Sequence, residues 1–321
     1  MSNVVKTYWE WLREGSILCM NRRNAEYILL HNPRAYYRVV DEKLETKALA
    51  EGAGVPCPRT YAVVRSYGEV GEVLGRVLRE HQTLVIKPNR GAAGRGVMVL
   101  EREGGGGWRK ASGAAVSEME MRYHVTSILS GLYSLSELPD QAIIEQRIFP
   151  HPFFKEITWQ GTPDVRIILY HTIPVMAMMR LPTRQSDGRA NLHQGAVGLG
   201  IAIAKGTTRT GVCRGRRVLT HPDTGAPLQG LRVPDWGRAL EISRLLARRI
   251  PLQYIGVDLM LDAAHGPMMI EANARPGLSI QVANSLGLRR RLEFLQGRLA
   301  RGATPDEVWE EFYVRIGNDE L

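Results

Sequence analysis

Cysteine is scarce in this chain of 321 residues, and its three copies, Cys19, Cys57 and Cys213, are scattered with no C-x-x-C pair. That excludes a disulfide framework and a cysteine zinc site, and it fits a reducing compartment. No apolar run approaches the ~18 residues that a membrane-spanning helix needs. The segment Met1 to Met20 also lacks the apolar centre of a signal peptide, so a cytoplasmic location is expected. There is no repeat of fixed period and no low-complexity tract, which excludes a solenoid and a disordered chain. Aromatic residues make up 7% of the chain and are not interleaved with its basic runs, which argues against a groove for single-stranded nucleic acid. Direct nucleic-acid binding is not expected. No Ser/His/Asp or Cys/His set points to a covalent enzyme intermediate, and no His-Arg-Asp or Asp-Phe-Gly motif points to a protein kinase.

Positive charge is what the chain has in excess: the formal net charge is +9, with arginines concentrated in 209–217, 244–249 and 289–301. Such an excess attracts nucleic acid, an anionic membrane surface or a polyphosphate. The plainer reading is that helix faces such as Arg244/Arg248 and Arg298/Arg301 are simply solvated. The length is enough to bury a full core in one or two closely packed domains.

Residues 1–40 read as a largely helical extension with an aromatic-rich start at Tyr8, Trp9 and Trp11. Asp41 reads as the N-cap of a helix over about 42–51, stopped by Gly52 and Gly54. Lys43 and Lys47 are four apart and share a face of that helix. Strands are expected at Thr83–Pro88, Val97–Glu101, Gln141–Phe149, Asp164–Tyr170, Pro174–Arg180 and Ala196–Ala204, and a helix over 116–132. His171-Thr172 reads as a turn. Asp235 is placed as the cap of an amphipathic helix to about Arg249, and Thr304-Pro305-Asp306-Glu307 as a capping box opening a last helix. Strands and helices mix without strict βαβ alternation, so the fold class is α+β.

The most informative segments are Ile255-Gly256-Val257-Asp258-Leu259-Met260-Leu261 and Met268-Met269-Ile270-Glu271-Ala272-Asn273, joined by turn-forming residues. A hairpin closing symmetrically about Ala264 and His265 sets Asp258 opposite Glu271. Opposed side chains lie roughly 5 Å apart. At that distance two carboxylates repel by about 3 kcal/mol at an effective dielectric near 20. The apolar flanks argue for burial, and a buried pair calls for a cation between the carboxylates. Asn273 shares the face of Glu271 and adds a neutral oxygen, and an all-oxygen set of this kind suits magnesium. The alternative is a solvated hairpin whose acids face water.

Lys87 precedes Gly91-x-x-Gly94-x-Gly96 across a hairpin turn, where glycines let backbone approach phosphates and Lys87 neutralises them. The loop is neither a Walker A loop nor a dinucleotide fingerprint, and a merely mobile turn is its alternative. Asp164-Val-Arg166, Arg180 and Arg189-Ala-Asn191-Leu-His193 form a cationic, amide-rich set suited to carboxylate or phosphate. For Arg166 and Arg180 the alternative is an ordinary cross-strand ion pair.

Six motifs in this order, namely Lys87 with its glycine loop, Glu145-Gln146-Arg147-Ile148, Asp164-Val-Arg166, Arg189-Ala-Asn191-Leu-His, Gly256-Val-Asp258 and Glu271-Ala-Asn273-Ala-Arg-Pro-Gly, resemble the ATP-grasp superfamily over about residues 41–285. The resemblance is closest to ligases that add glutamate to ribosomal protein tails, and closer still to the alpha-L-glutamate ligase-like, sugar-transfer-associated branch. It implies two α+β subdomains, 41–145 and 146–321, clamping ATP behind the helical extension 1–40. It also implies an ADP-forming carboxylate–amine ligase working through an acyl phosphate, with a kinase on the same grasp or a non-catalytic nucleotide-binding scaffold of an envelope pathway as alternatives.

By residue, the resemblance places Lys87 on the ATP phosphates beneath Gly91, Gly94 and Gly96, with Lys43 or Lys47 as a further nucleotide-side lysine. Glu145, Gln146 and Arg147 would form the hinge that reads adenine, Asp164 would lie near the ribose, and Arg189 and Asn191 would contact nucleotide phosphate. Asp258, Glu271 and Asn273 would hold Mg2+, or Mn2+ in its place, and Arg166, Arg180 and Arg275 would surround the acyl phosphate. The implied partners are a small-molecule or peptide carboxylate and an amine acceptor, with association with membrane-bound pathway partners as a further expectation. Ligases of this family usually carry a longer α/β domain ahead of the grasp, which only about 40 residues replace here. The acceptor and the added amino acid, glutamate included, are therefore not carried over.

Overall fold

The computed structural model describes residues 16–91, 94–134 and 138–321. Tyr8, Trp9 and Trp11 of the aromatic-rich start, and Ala92 and Ala93 of the glycine loop, lie outside the described residues. The chain divides into two compact units. The smaller comprises Asp41–Glu45 and Cys57–Phe149, and the larger comprises the residues up to Val40, then Thr46–Pro56 and Pro150–Leu321. Helix α1 (Lys43–Gly52) is divided between them. Asp41 belongs to the preceding helical turn Arg38–Asp41 and so does not stand as the N-cap expected from the sequence.

The smaller unit is a six-stranded antiparallel sheet with two helices. Its strands are β1 (Thr60–Val64), β2 (Thr83–Pro88), β3 (Met98–Arg102), β4 (Trp108–Lys110), β5 (Ala115–Val116) and β6 (Ala142–Glu145), in the order β1-β6-β2-β3-β4-β5. Helix α2 (Val70–Glu80) carries Val70, Leu74, Val77 and Leu78 at helical spacing, and all four are buried. Helix α3 (Glu118–Leu129) opens on a capping box between Ser117 and Glu120, and its Met121, Val125 and Ile128 complete the core with Leu84, Ile86, Leu100 and Ile144. Strand β6 ends at Glu145, short of the Phe149 expected from the sequence. Beyond it, Gln146 pairs with Arg59 through its own N–H (2.8 Å) and through its side-chain oxygen (3.1 Å).

The larger unit is a seven-stranded antiparallel sheet, β7 (Asp164–Tyr170), β8 (Ile173–Leu181), β9 (Val197–Ala202), β10 (Thr207–Cys213), β11 (Arg216–Val218), β12 (Tyr254–Asp262) and β13 (Gly266–Asn273), in the order β11-β10-β9-β8-β7-β12-β13. The β7–β8 turn falls at His171-Thr172 as expected, with both residues in the left-handed region. Every residue of β7 is buried except Arg166, and every residue of β8 except Arg180. Both strands are therefore covered on both faces, and their charged side chains mark where that cover is incomplete.

Helix α4 (Trp236–Ala247) packs on β7, β8, β12 and β13, and helix α5 (Ser279–Asn284) on β8, β9 and β10. Asp235 does not cap α4. Its backbone is left-handed (φ 49°), no side-chain cap bond forms, and its carboxylate lies beside Gly266. Helix α6 (Arg289–Leu299) packs on helix α7 (Pro305–Gly317), which opens on the expected capping box between Thr304 and Glu307. Part of the basic excess is structural. Arg244 and Arg248 both donate to Asp306 (2.5 and 2.6 Å), and Arg298 donates to Glu311 (2.7 Å).

The described N-terminal residues are stitched to this sheet. A π-helical stretch, Arg23–Ile28, lies between the α-helical turns Met20–Arg22 and Leu29–His31. Tyr27 packs against Tyr170 and Tyr254, with ring centroids 5.6 and 5.9 Å away. Buried Asn32 satisfies four backbone groups at once. Its amide donates to the carbonyls of Tyr254 (2.6 Å) and Ala274 (2.9 Å), and its oxygen accepts from the N–H groups of Gln253 and Tyr254. It thus ties the first residue of β12 to the residue just after β13. Asn32→Ala removes these bonds, although Gln253 N keeps the His31 carbonyl (3.1 Å), and we expect it to lower the unfolding free energy by about 2–4 kcal/mol in urea titration. A variant within about 0.5 kcal/mol of the parent would show that the segment adds nothing to the unit.

Candidate functional site

Asp258 and Glu271 are direct partners across the β12–β13 pair, as the sequence predicts, although by a different path. The connection is one residue tighter than a turn symmetric about Ala264 and His265. Asp262 pairs with Gly266, and the Asp262 carboxylate accepts from Ala264 N, His265 N and His265 Nδ1 at 2.8–3.0 Å. Carried along the strands, that register would set Ile270 opposite Asp258. A β-bulge between Asp258 and Leu259 absorbs Ile270 as the extra residue and restores Glu271 to the face of Asp258. Gly256 is required here because a Cβ at this position would come within 2.8 Å of the Pro276 ring.

The four central strands place their charged residues on one face. Register sets Asp164 opposite Arg180, and Arg166 opposite Asp258. Arg166 grips Asp258 with both arms, Nε to Oδ1 (2.7 Å) and Nη2 to Oδ2 (2.5 Å). Arg180 holds Asp164 in the same way (2.5 and 2.6 Å) and also donates to Asp258 Oδ2 (2.8 Å). Among the described residues, Glu271 has one cation within 4 Å, Arg166 at 3.9 Å, and Asn273 donates to its Oε1 at 3.3 Å. Burial falls along the row, since the Asp258 side chain is 3% exposed and that of Glu271 is 29% exposed.

Three carboxylates here face two guanidiniums, and the uncompensated negative charge collects at the open end, on Glu271. Burial acts to raise the Asp258 pKa, but Arg166 and Arg180 outweigh it and hold the carboxyl well below the usual carboxylate range. Among the described residues, Arg180 is the one cation that contacts Asp164. Burial, with the nearby charge of Asp258, pushes it up to about 6 against the pull of that arginine. Burial would lower the Arg180 guanidinium, yet Asp164 and Asp258 raise it overall.

The donor chemistry fits a hard divalent ion. An ionised carboxylate offers about four lone-pair positions. Three of those on Asp258 accept from arginine among the described residues, which leaves Oδ1 with capacity beside Glu271 and the amide oxygen of Asn273. No cluster of three His, Cys, Asp or Glu side chains capable of holding a metal occurs among the described residues, and two carboxylates with one amide is the smaller set that magnesium accepts when phosphate and water complete its shell.

The larger unit also carries the remaining residues that the sequence singles out. Arg275 is exposed and lies over the Tyr37 ring at 5.2 Å. Arg189 is exposed in the loop that follows β8, and Asn191 caps a short 3-10 turn by accepting from His193 N (3.0 Å). Lys47 is buried in this unit.

In the smaller unit, Lys87 and Glu145, assigned to two different contacts by sequence reasoning, form one buried ion pair. Arg147 donates to Glu101 (2.9 Å) and lies over the Phe149 ring. Lys43 Nζ donates to the Gly91 carbonyl at 2.5 Å, at the entrance to the glycine loop. Sequence reasoning missed Asn89, which arranges this corner. Buried just past Pro88, it accepts from Lys43 N through its backbone and from Leu44 N through its side chain. Its position next to Pro88 at the end of an apolar strand was the available signal. Gly96 has a left-handed backbone (φ 73°) and lies on Tyr133, where a Cβ would come within 2.6 Å of the ring, and His124 Nε2 lies 2.9 Å from its carbonyl.

Residues 22–296 match the family model of the sugar-transfer associated ATP-grasp proteins, and the chain belongs to that family. No curated protein sequence matches it. Among solved structures it is similar to the biotin carboxylase domain of the 2-oxoglutarate carboxylase of Hydrogenobacter thermophilus (14% identity, 83% of this chain and 46% of that one, TM-score 0.50). It is also similar to the D-cycloserine synthetase DcsG (16%, 83% and 73%, 0.48) and to the ATP-grasp ligase PsnB with its minimal precursor (15%, 82% and 61%, 0.42). The chain thus spans about three fifths of PsnB and under half of the carboxylase domain. At these identities the likeness concerns the fold, which is the ATP-grasp fold. No helix among the described residues is long and apolar enough to cross a membrane.

The two facing carboxylates should behave differently on truncation. Removing Asp258 strands the largely buried Arg166 guanidinium and takes one of three carboxylate contacts from Arg180, so we expect Asp258→Ala to cost about 3–5 kcal/mol of stability. Glu271, half-exposed with one long ionic contact, should cost under about 1 kcal/mol as Glu271→Ala. Urea denaturation of both variants checks this, and equal losses would contradict the charge distribution described.

Proposed function

We propose that the protein is an ATP-dependent ligase that uses magnesium to activate a carboxylate as its acyl phosphate and passes it to an amine. The observation that carries this reading is the uncompensated negative charge on the β12–β13 face, where Asp258, Glu271 and Asn273 present hard oxygens over a base of two arginines. Family membership supports ATP as the nucleotide, and Asp258, Glu271 and Asn273 are the residues proposed to hold the ion. Once bound, the metal would neutralise charge on the transferred phosphoryl group.

The residues of the chain have separable tasks in this scheme. Arg166 and Arg180 fix Asp258 as a charged, immobile carboxylate, so that the ion meets a preorganised oxygen. Between the two candidate lysines, the contact with Gly91 favours Lys43 as the nucleotide-side residue. Lys87 is proposed to face phosphate beneath the glycine loop, with Glu145 keeping its ammonium in place until phosphate competes for it. The neighbours of similar fold include peptide-directed ligases, and a small acid or a peptide carboxylate is the substrate class we propose for this chain.

Glu271→Gln keeps the shape of the side chain and removes its charge. We expect Mg-ATP affinity by calorimetry to fall about tenfold or more. ADP release across a panel of acids and amines should fall by about a hundredfold or more, with the melting temperature close to that of the parent. Unchanged Mg-ATP binding and near-normal ADP release in this variant would end the metal assignment.

A further inference from the structure

Two of the basic runs that the sequence shows without a use, 209–217 and 289–301, meet in the larger unit. Arg209 of β10 and Arg291 of α6 line a cavity of about 210 Å3, together with Lys205 of the β9–β10 turn and Asp319 beyond α7. That volume is far above the ~10–15 Å3 that a single water needs, and below the ~300 Å3 at which drug-sized ligand pockets begin. The cavity shares no residue with the Asp258 network.

Its lining is charged and incompletely paired. Arg291 is only 5% exposed; its Nη1 donates to the carbonyl of Val175 (2.8 Å) and its Nη2 to a main-chain oxygen of Leu321 (3.3 Å). Its Nε, like that of Arg209, is buried with no hydrogen-bond partner among the described residues. Orphaned donors of this kind are rare in folded proteins and each needs a cause. The one carboxylate in the lining, Asp319, is largely exposed and contacts Lys205 at 3.6 Å. Among the side chains that line it, three cations therefore face one carboxylate, so the lining is net positive. Burial, and after it the charge of Arg209, push the Arg291 guanidinium down to about 10 against the pull of Asp319.

We propose that this cavity binds a small phosphate-bearing anion, taken between the Arg209 and Arg291 guanidiniums with Lys205 at its mouth. A phosphate carries close to two negative charges at neutral pH and offers three acceptor oxygens, which suits the net positive lining and the unpaired N–H groups. The guanidinium fork suits its geometry. Arg291 also holds the Val175 carbonyl of β8, the strand that carries Arg180, so the anion would bind against a guanidinium already built into the central sheet.

The test is equilibrium dialysis of the full chain with radiolabelled inorganic phosphate at constant ionic strength. One phosphate per chain is expected to bind saturably. Arg209→Gln, at a half-buried position outside the proposed ATP site, should weaken it about tenfold or more, and Arg209→Lys, which keeps the charge but loses the fork, by less. Glu271→Gln should leave phosphate binding as in the parent, so failure of the ligase reading and failure of this one give different results. Competition by glycerol 3-phosphate would assign the site to phosphomonoesters, and its absence to free phosphate. Circular dichroism of Arg209→Gln, expected to match the parent, checks that the variant is folded. No saturable binding below about 10 mM, or equal binding by parent and Arg209→Gln, would overturn the proposal.

Discussion

The bidentate grip of Arg166 on Asp258, shared by Arg180, is the interaction on which the candidate site depends. Each member is costly alone in a buried sheet, because a lone charge there pays its full desolvation. Together they interlock β8, β7 and β12 through side chains as well as backbone. The arrangement falls one positive charge short of neutrality, and that shortfall gives the opposite end of the row an affinity for cations. Structural and chemical demands thus meet on Asp258, and Glu271 is left free of the structural one.

The charged row could be read in the sequence because strands have a period of two. Asp164 and Arg166, and likewise Glu271 and Asn273, share a face by spacing alone. Which carboxylate Arg180 would choose could not be read, since that follows from the pairing of β7 with β8 and β12 in three dimensions. The Asp258–Glu271 partnership was reached from the sequence through two offsetting differences, a tighter turn and an unforeseen bulge at Ile270. The turn tightens because the Asp262 side chain organises it, a local hydrogen-bonding preference that symmetry about the apparent centre overlooks.

Helix starts show where local signals suffice. The capping box at Thr304 needs only residues three apart, and it forms as read. Asp41 and Asp235 carry the right side chain in the wrong backbone setting, one already inside a helical turn and the other left-handed. Neither setting is encoded within a few residues. The pairing of Lys87 with Glu145 was likewise beyond one-dimensional reading, because 58 positions separate residues that adjacent strands β2 and β6 bring together.

The bulge at Ile270 gives the β12–β13 hairpin two independent registers, one near its tip and one at Asp258. In an unbroken hairpin, a one-residue change at the tip would turn every later side chain to the opposite face. Here the slack taken up at Ile270 separates the two ends. The facing of the two carboxylates is thus set at Ile270 and not at the 263–265 tip.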